Sequence, residues 1–467
     1  MLLRGVIFLY LFALSQMAFG DDTIADLSVD KRFILDSIVL DGNKVTRPKV
    51  FYNELTFRLG DTLTQKQIVE HLEATKNNLL NTSLFNFVWI TPSYSNNHFY
   101  YTIKVQERWY WWVLPILEHA NRNFSAFLDD GDWSRIRYGA YVQNVNFLGR
   151  KKTLRFLFKL GYQNVFNFSY ISPQYKYKVG WGAGADYFFQ DQIIVKTVDN
   201  KPVNSPYYTT PAIKKKSVKG SVNYRHHLYY RHELIISANQ FEVNDSILIE
   251  NPNYLPNGKS TVNYIELTYK YNHDTRDSKI YPLKGSYYGF DLTNLGVGSN
   301  ELNYLYGGLH YKFFAPLPAR FNIGTEWDAM LSNSSYLPYF VNFGLGYKDF
   351  IRGFEYNVID AKSYYITQNR LMYNLLPTKT LNLNFLSLSQ FSKVHYAFYL
   401  KTYFDMGYVV GNRTNKYIDY NDMSDRLLFA GGLGLDFVTY YDKVFGVSYS
   451  LNNFGVSGVY FHVNLKM

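Results

Sequence analysis

The sequence predicts a mainly β protein: a 16-stranded antiparallel transmembrane β-barrel over residues 109–467, preceded by one small β-α-α-β-β domain over residues 21–107. Three observations lead there. The chain has 467 residues with 45 Tyr, 36 Phe and 7 Trp, so aromatics make up 19% while only 18% is charged. That charged fraction lies below the roughly 25% of an ordinary soluble protein. Mean hydropathy is nonetheless −0.23, and past the N-terminal segment no apolar run approaches the roughly 20 residues of a membrane helix. Lastly, apolar and polar residues alternate along many segments, the period that gives a strand one apolar and one polar face. So aromatic a composition excludes disorder. The absence of Cys excludes a disulfide framework, thiolate catalysis and Cys-ligated metal.

The first element is a targeting segment. Arg4 supplies a positive n-region, Gly5 to Leu14 an apolar run, and Ala18-Phe19-Gly20 small residues before Asp21-Asp22. This reads as a signal peptide over residues 1–20. Removing Arg4 leaves 47 basic and 38 acidic residues, a formal charge of +9. On an exported chain that excess suits anionic lipid head groups, and no basic motif points to nucleic acid.

The small domain follows. Phe33 to Leu40 alternates and ends at the turn Asp41-Gly42-Asn43. Pro48 opens a helix with Val50, Phe51 and Leu55 on one face. Thr64 and Gln67 stand at capping-box spacing, with Leu63 and Ile68 at the two staple positions. Ile68, Leu72, Leu79 and Leu80 continue the apolar face. Two strands close the domain, Phe87 to Ile90 and Phe99 to Val105, around a turn at Ser95-Asn96-Asn97.

From Trp109 onward every segment reads as a strand. Leu154, Phe156, Phe158 and Leu160 oppose Arg155 and Lys159. Ile136, Tyr138, Ala140 and Val142 oppose Arg135, Arg137 and Gln143. Ile265, Leu267, Tyr269 and Tyr271 oppose Glu266, Thr268, Lys270, Asn272 and Asp274. Val459, Phe461, Val463, Leu465 and Met467 oppose Tyr460, His462, Asn464 and Lys466. An apolar outer band and a polar lumen give this pattern in a membrane barrel, where an even strand number is the rule. Residues 109–467 allow roughly 22 residues per strand and connection, against about 9–11 for each membrane crossing. Polar stretches at 199–216, 243–260, 332–350 and 411–426 read as loops.

Several motifs resemble the BamA/TamA outer-membrane assembly superfamily, with one POTRA domain. Ile351-Arg352-Gly353-Phe354 resembles its (V/I)RGF motif, carried at the tip of a loop, here 332–360, that folds back into the lumen. Asp274-Thr275-Arg276-Asp277 with Pro282 and Gly285 resembles its D-x-R-D…P-x-x-G turn. Phe404-Asp405-Met406-Gly407 resembles F-x-D-x-G, Gly432-Leu433-Gly434-Leu435 the glycine-rich penultimate motif, and Asn146 to Arg150 the N-x-x-G-R of the first hairpin. In the small domain, Gly42-Asn43-Lys44, Glu54-Leu55, Gly60-Asp61 and Leu84-Phe85 resemble a POTRA domain. The chain departs from the family in ending on Met467 rather than an aromatic, and in carrying Asn369-Arg370 where the family tends to place a Glu.

Parity adds a physical expectation. Tyr396, Phe398, Leu400 and Phe404 oppose Lys401 and Asp405; Leu427, Phe429, Leu433, Leu435 and Phe437 oppose Asp436. Asp405 and Asp436 therefore both point inward, and Arg352 has the planar fork that suits a carboxylate. Asp405 is the first candidate partner and Asp436 the second, in a lumen expected to be wet. Gly353 supplies a tight turn, and Phe354 packs on the inner wall.

No catalytic constellation appears: there is no G-x-S-x-G, H-E-x-x-H or P-loop, and His226, His227 and His232 fit no standard metal spacing. The expectation is a non-enzyme without cofactor or metal, in the bacterial outer membrane with its POTRA-like domain in the periplasm. The resemblance implies insertion of other barrel proteins, or passage of a polypeptide across the membrane. Partners would be outer-membrane lipids, unfolded barrel-protein or secreted polypeptide clients and periplasmic accessory proteins, not nucleic acid. Alternatives are a passive porin or surface-antigen barrel, and a lipid-acting barrel enzyme.

Overall fold

The structure, a computed structural model, describes residues 31–119, 131, 133–174, 178–299, 301–334, 337–341, 343–347, 349–383, 392–411, 421–439 and 443–464. The signal-peptide expectation and the C-terminal Met467 lie outside the described residues.

The small domain runs β1 (Arg32–Asp41), α1 (Pro48–Tyr52), β2 (Thr62–Thr64), α2 (Gln65–Leu80), β3 (Phe85–Ser95) and β4 (His98–Glu107). The sheet order is β2-β1-β4-β3, with β1 and β4 parallel. The strand β2 is an addition to the expected β-α-α-β-β order; three residues carry no periodic signal, and it pairs with β1 through Leu63 opposite Phe33. Thr64 caps α2 by accepting from the Gln67 amide, and Gln67 Oε1 accepts from the Thr64 amide at 2.9 Å, which completes the capping box. Val50, Phe51, Leu79, Leu84 and Phe85 form one core cluster, and Tyr110 and Val145 from the neighbouring barrel pack into it.

Sixteen antiparallel strands then form one sheet, from Trp111–His119 to Ser457–Asn464, each paired with its neighbour in sequence. Parity decides the faces. Phe156, Phe158, Ile265, Leu267, Leu400, Phe404, Leu433 and Val459 stand exposed on the outside, whereas Gln143, Thr268, Lys401, Asp405 and Asp436 are buried within. Among the described residues the two end strands share no ladder, so the barrel has a seam there. The loop expected at 199–216 is shorter, because Lys201–Asn204 forms a hairpin with Ile194–Val198 and a barrel strand, Ile213–Tyr224, begins inside it.

The small domain covers one mouth of the barrel. At the far mouth, Leu337, Tyr339 and Val341 pack on Ile193, Val195, Ile247, Tyr254 and Leu255 from other loops. Polar contacts tie this lid together: the Val358 amide donates to Asn200 O at 2.8 Å, and Asn200 Nδ2 to Asp422 Oδ1 at 2.8 Å.

Candidate functional site

The loop between the strands Phe321–Ser332 and Ser363–Asn382 folds into the lumen. Two short strands within it, Phe343–Leu345 and Ile359–Ala361, pair antiparallel and hold its stem. Gln368 Nε2 on the wall donates to Phe350 O at 3.0 Å, and the Tyr364 hydroxyl donates to Asp349 Oδ2 at 2.7 Å.

At the tip, Arg352 meets Asp405 as a two-pronged pair. Nε donates to Oδ2 at 2.7 Å, Nη2 to Oδ1 at 2.5 Å, and the Arg352 amide to Oδ2 at 3.3 Å. The guanidinium carbon lies 4.0 Å from the centre of the Tyr403 ring, a cation–π contact, and the Tyr403 hydroxyl bonds to Ser450. Nη2 also reaches the Asn369 carbonyl at 3.4 Å, so the Asn369-Arg370 departure places a backbone acceptor where an acidic side chain was looked for. The wall's acid sits one strand away. Glu326 accepts from Lys312 Nζ at 2.5 Å and lies 3.3 Å from Arg370.

The neighbours of Arg352 are equally fixed. Gly353 has φ +93°, a conformation L side chains rarely adopt, and a Cβ there would lie 2.8 Å from Ala430 Cβ. Its amide donates to Glu355 Oε2 at 2.7 Å and its carbonyl accepts from Asn452 Nδ2 at 2.9 Å. Phe354 meets Phe454 edge-on at 6.1 Å. Ile351 fills the space that Gly407 leaves; a Cβ at Gly407 would come within 2.4 Å of Ile351 Cδ1. Gly432 gives similar room to Tyr403, whose hydroxyl would stand 2.5 Å from a Cβ there.

Two expectations need correction. Asp436 does not join Arg352. It accepts from Lys401 Nζ at 2.6 Å and from the Tyr281 hydroxyl at 3.0 Å, nearer the small domain. The surroundings of the Arg352 pair are also not wet: Asp405 is 0% exposed and Arg352 9%.

Sequence reasoning missed the reach of this loop to the seam. Phe350 stacks on His462 at 5.9 Å, Tyr356 lies 5.5 Å from Tyr460, and His462 Nε2 stands 3.5 Å from Glu355 Oε1. Both wall residues belong to the last strand, Ser457–Asn464. Their inward parity was the available signal.

The D-x-R-D turn lies at the other mouth. Arg276 Nε and Nη2 donate to Asp274 at 2.8 and 2.9 Å. Asp277 Oδ1 accepts from the amides of Ser278, Leu283 and Lys284. Pro282 lies in the same turn, and Gly285, at φ +101°, closes it against Thr275 O. The turn is a docking point: Asn81, just past α2, donates to the carbonyls of Arg276 and Asp277 at 3.3 and 3.1 Å.

Glu54 makes the main ionic contact between domain and barrel, accepting from Lys151 Nζ at 2.9 Å and from Arg225 at 3.0 and 2.7 Å. Burial alone would raise this carboxyl, but Lys151 and Arg225 together outweigh it and hold it lowered to about 2. The N-x-x-G-R turn completes the joint. Asn146 Nδ2 donates to Thr46 Oγ1 at 2.9 Å, and Gly149 O accepts from the Arg47 amide at 2.9 Å.

Comparison with known proteins agrees with this architecture. The Omp85 superfamily domain matches residues 146–440, and a POTRA domain described as a surface antigen variable number repeat matches residues 33–108. No curated protein matches the chain. Among solved structures it is similar to BamA from Haemophilus ducreyi lacking POTRA domains 1-3, at a TM-score of 0.52 and 14% identity, over 92% of this chain and 84% of that one. It is also similar to CdiB from Escherichia coli, at a TM-score of 0.55 and 11% identity, over 92% of this chain and 76% of that one. These likenesses carry the fold, and the family match spans more than half of the residues, with its motifs at the lumen pair and the domain joint. The chain belongs to the Omp85 superfamily.

Proposed function

We propose that this protein sits in the bacterial outer membrane with its POTRA domain in the periplasm, and that it inserts barrel proteins or passes a polypeptide across that membrane. The observation that carries this reading is the seam: the end strands share no ladder among the described residues, while the motif loop braces the last strand from inside. Unpaired strand edges in lipid are unfavourable, so such a seam is primed to accept a client strand. The POTRA sheet offers a second edge at β3, where Phe85 to Thr91 precede Pro92, and an extended client can add there by β-augmentation. Outer-membrane lipids surround the barrel, no covalent step is involved, and periplasmic accessory proteins would deliver the polypeptide clients. A passive pore is a poorer account, since it has no use for a POTRA domain or for a lumen loop fastened by Arg352.

Depletion followed by outer-membrane proteomics tests the reading. Loss of many barrel proteins marks a general insertase, and loss of one or two a dedicated translocator. An unchanged outer-membrane and secreted proteome would overturn both.

A further inference from the structure

Between the POTRA domain and the barrel mouth lies a partly enclosed cavity of about 30 Å³. The end of α2 bounds it on one side, and the barrel turns carrying Lys151, Arg225 and Lys279 bound it on the other. That volume suits a monoatomic ion or one to two waters, because a water needs at least roughly 10–15 Å³ measured in this way.

The charges around the cavity do not balance. Its lining holds five cations, Lys151, Arg225, Arg231, Arg276 and Lys279, and two carboxylates, Glu54 and Asp274. Both carboxylates are spoken for. Glu54 takes Lys151 and Arg225, and Asp274 takes both prongs of Arg276. Among the described residues no hydrogen bond or ion pair reaches the head group of Arg231 or of Lys279. Cationic side chains thus outnumber carboxylates by three around one small space. The side chains of Arg231 and Lys279 are both half-buried, and cations crowded together with reduced access to water are costly. The strain shows at Lys279, where burial first, and then Arg231 and Lys151, push the ammonium down to about 7.

We propose that this cavity is a binding site for a monoatomic inorganic anion of the chloride type, held by Arg231 and Lys279, which completes the joint seating the POTRA domain on the barrel. The class follows from sign and size. The lining is net positive, and so small a space favours a compact monoatomic anion over a larger one. The anion neutralises the two unpaired head groups while Glu54 continues to serve the other two.

The test uses the full chain in detergent micelles at fixed ionic strength, with gluconate exchanged stepwise for chloride. Hydrogen exchange is read at residues 78–82 and 275–284, the two sides of the joint. Chloride should slow exchange there several-fold and saturably, while phosphate leaves it unchanged. Arg231→Gln combined with Lys279→Gln should abolish the chloride response. Equal exchange in chloride and gluconate, equal protection by phosphate, or a chloride response that survives in the double variant would overturn the proposal. Should the double variant fail to fold, crystals of the unaltered protein soaked in bromide decide. An anomalous peak between Arg231 and Lys279 supports the site, and its absence overturns it.

Discussion

Arg352 and Asp405 hold each other in a largely buried site, with Asp405 closed off from water. Removing one partner strands a buried charge, at a cost of about 3–5 kcal/mol rather than the roughly 0–1 kcal/mol of an exposed pair. Arg352→Asp or Asp405→Arg alone should release the loop and raise protease access at residues 340–356; the two together should restore protection at least in part. Unchanged access in the single variants would show that this pair does not anchor the loop. Glu54 gives a pH prediction at the other mouth. Its carboxyl is held at about 2 against an ordinary 4.5, so ionisation favours the docked state by up to about 3 kcal/mol. That contribution is full above pH 4.5 and is lost as the pH falls toward 2. Protease access to residues 42–47 should rise over that interval, and in Glu54→Gln it should be high at neutral pH and change little with acid. The inward parity of Asp405 and Asp436 was legible in the sequence, but the choice between them was not. Parity fixes the face of a strand and not the height along it. Asp436 lies opposite Tyr399 and Asp405 opposite Ala430, six positions apart along one strand, or roughly 20 Å. One arginine reaches only one of them.

Strand faces show the same division between what alternation tells and what it hides. Long segments such as Thr261–Asp274 and Leu427–Thr439 announce themselves because Ile265, Leu267, Tyr269 and Tyr271 in one, and Leu427, Phe429, Leu433, Leu435 and Phe437 in the other, repeat along one face. The strand Ile213–Tyr224 begins Ile213-Lys214-Lys215-Lys216, and three lysines in a row mask the period, so its first turn of sequence resembles a loop. The glycines of the wall are legible as a motif but not as a purpose, since their neighbours come from the lumen loop and from adjacent strands that lie apart in sequence. Gly407 makes this testable. A side chain there meets the end of Ile351, and overpacking of this kind costs about 1–3 kcal/mol. Gly407→Val should therefore leave the barrel folded, as judged by heat-modifiable migration on a gel, yet loosen the motif loop as Arg352→Asp does. A loop as protected as in the unaltered chain would mean that Ile351 does not need this space.

The two parts of the molecule are joined more intimately than their separate sequence signatures suggest. Tyr110 and Val145 complete the POTRA core, so a boundary drawn at residue 107 cuts through a packed cluster. Residues 21–107 alone should be soluble, with mixed α/β circular dichroism, but should melt below the same domain in the full chain. Residues 109–467 should need detergent and give an almost pure β spectrum; a water-soluble cooperative fold would end the membrane reading. The covered far mouth bears on the electrical behaviour of a cell that carries this protein. An ion drifting up the barrel from the small domain encounters first the Lys401–Asp436 pair, then the Arg352 pair and then a lid of Leu337, Tyr339, Ile193 and Val195, which sets apolar side chains in its way. Reconstituted in a planar bilayer, the protein should pass little steady current, and deleting residues 339–356 should produce large, long-lived conductance steps. A wide barrel of this kind can then stay in a membrane for long periods without short-circuiting it.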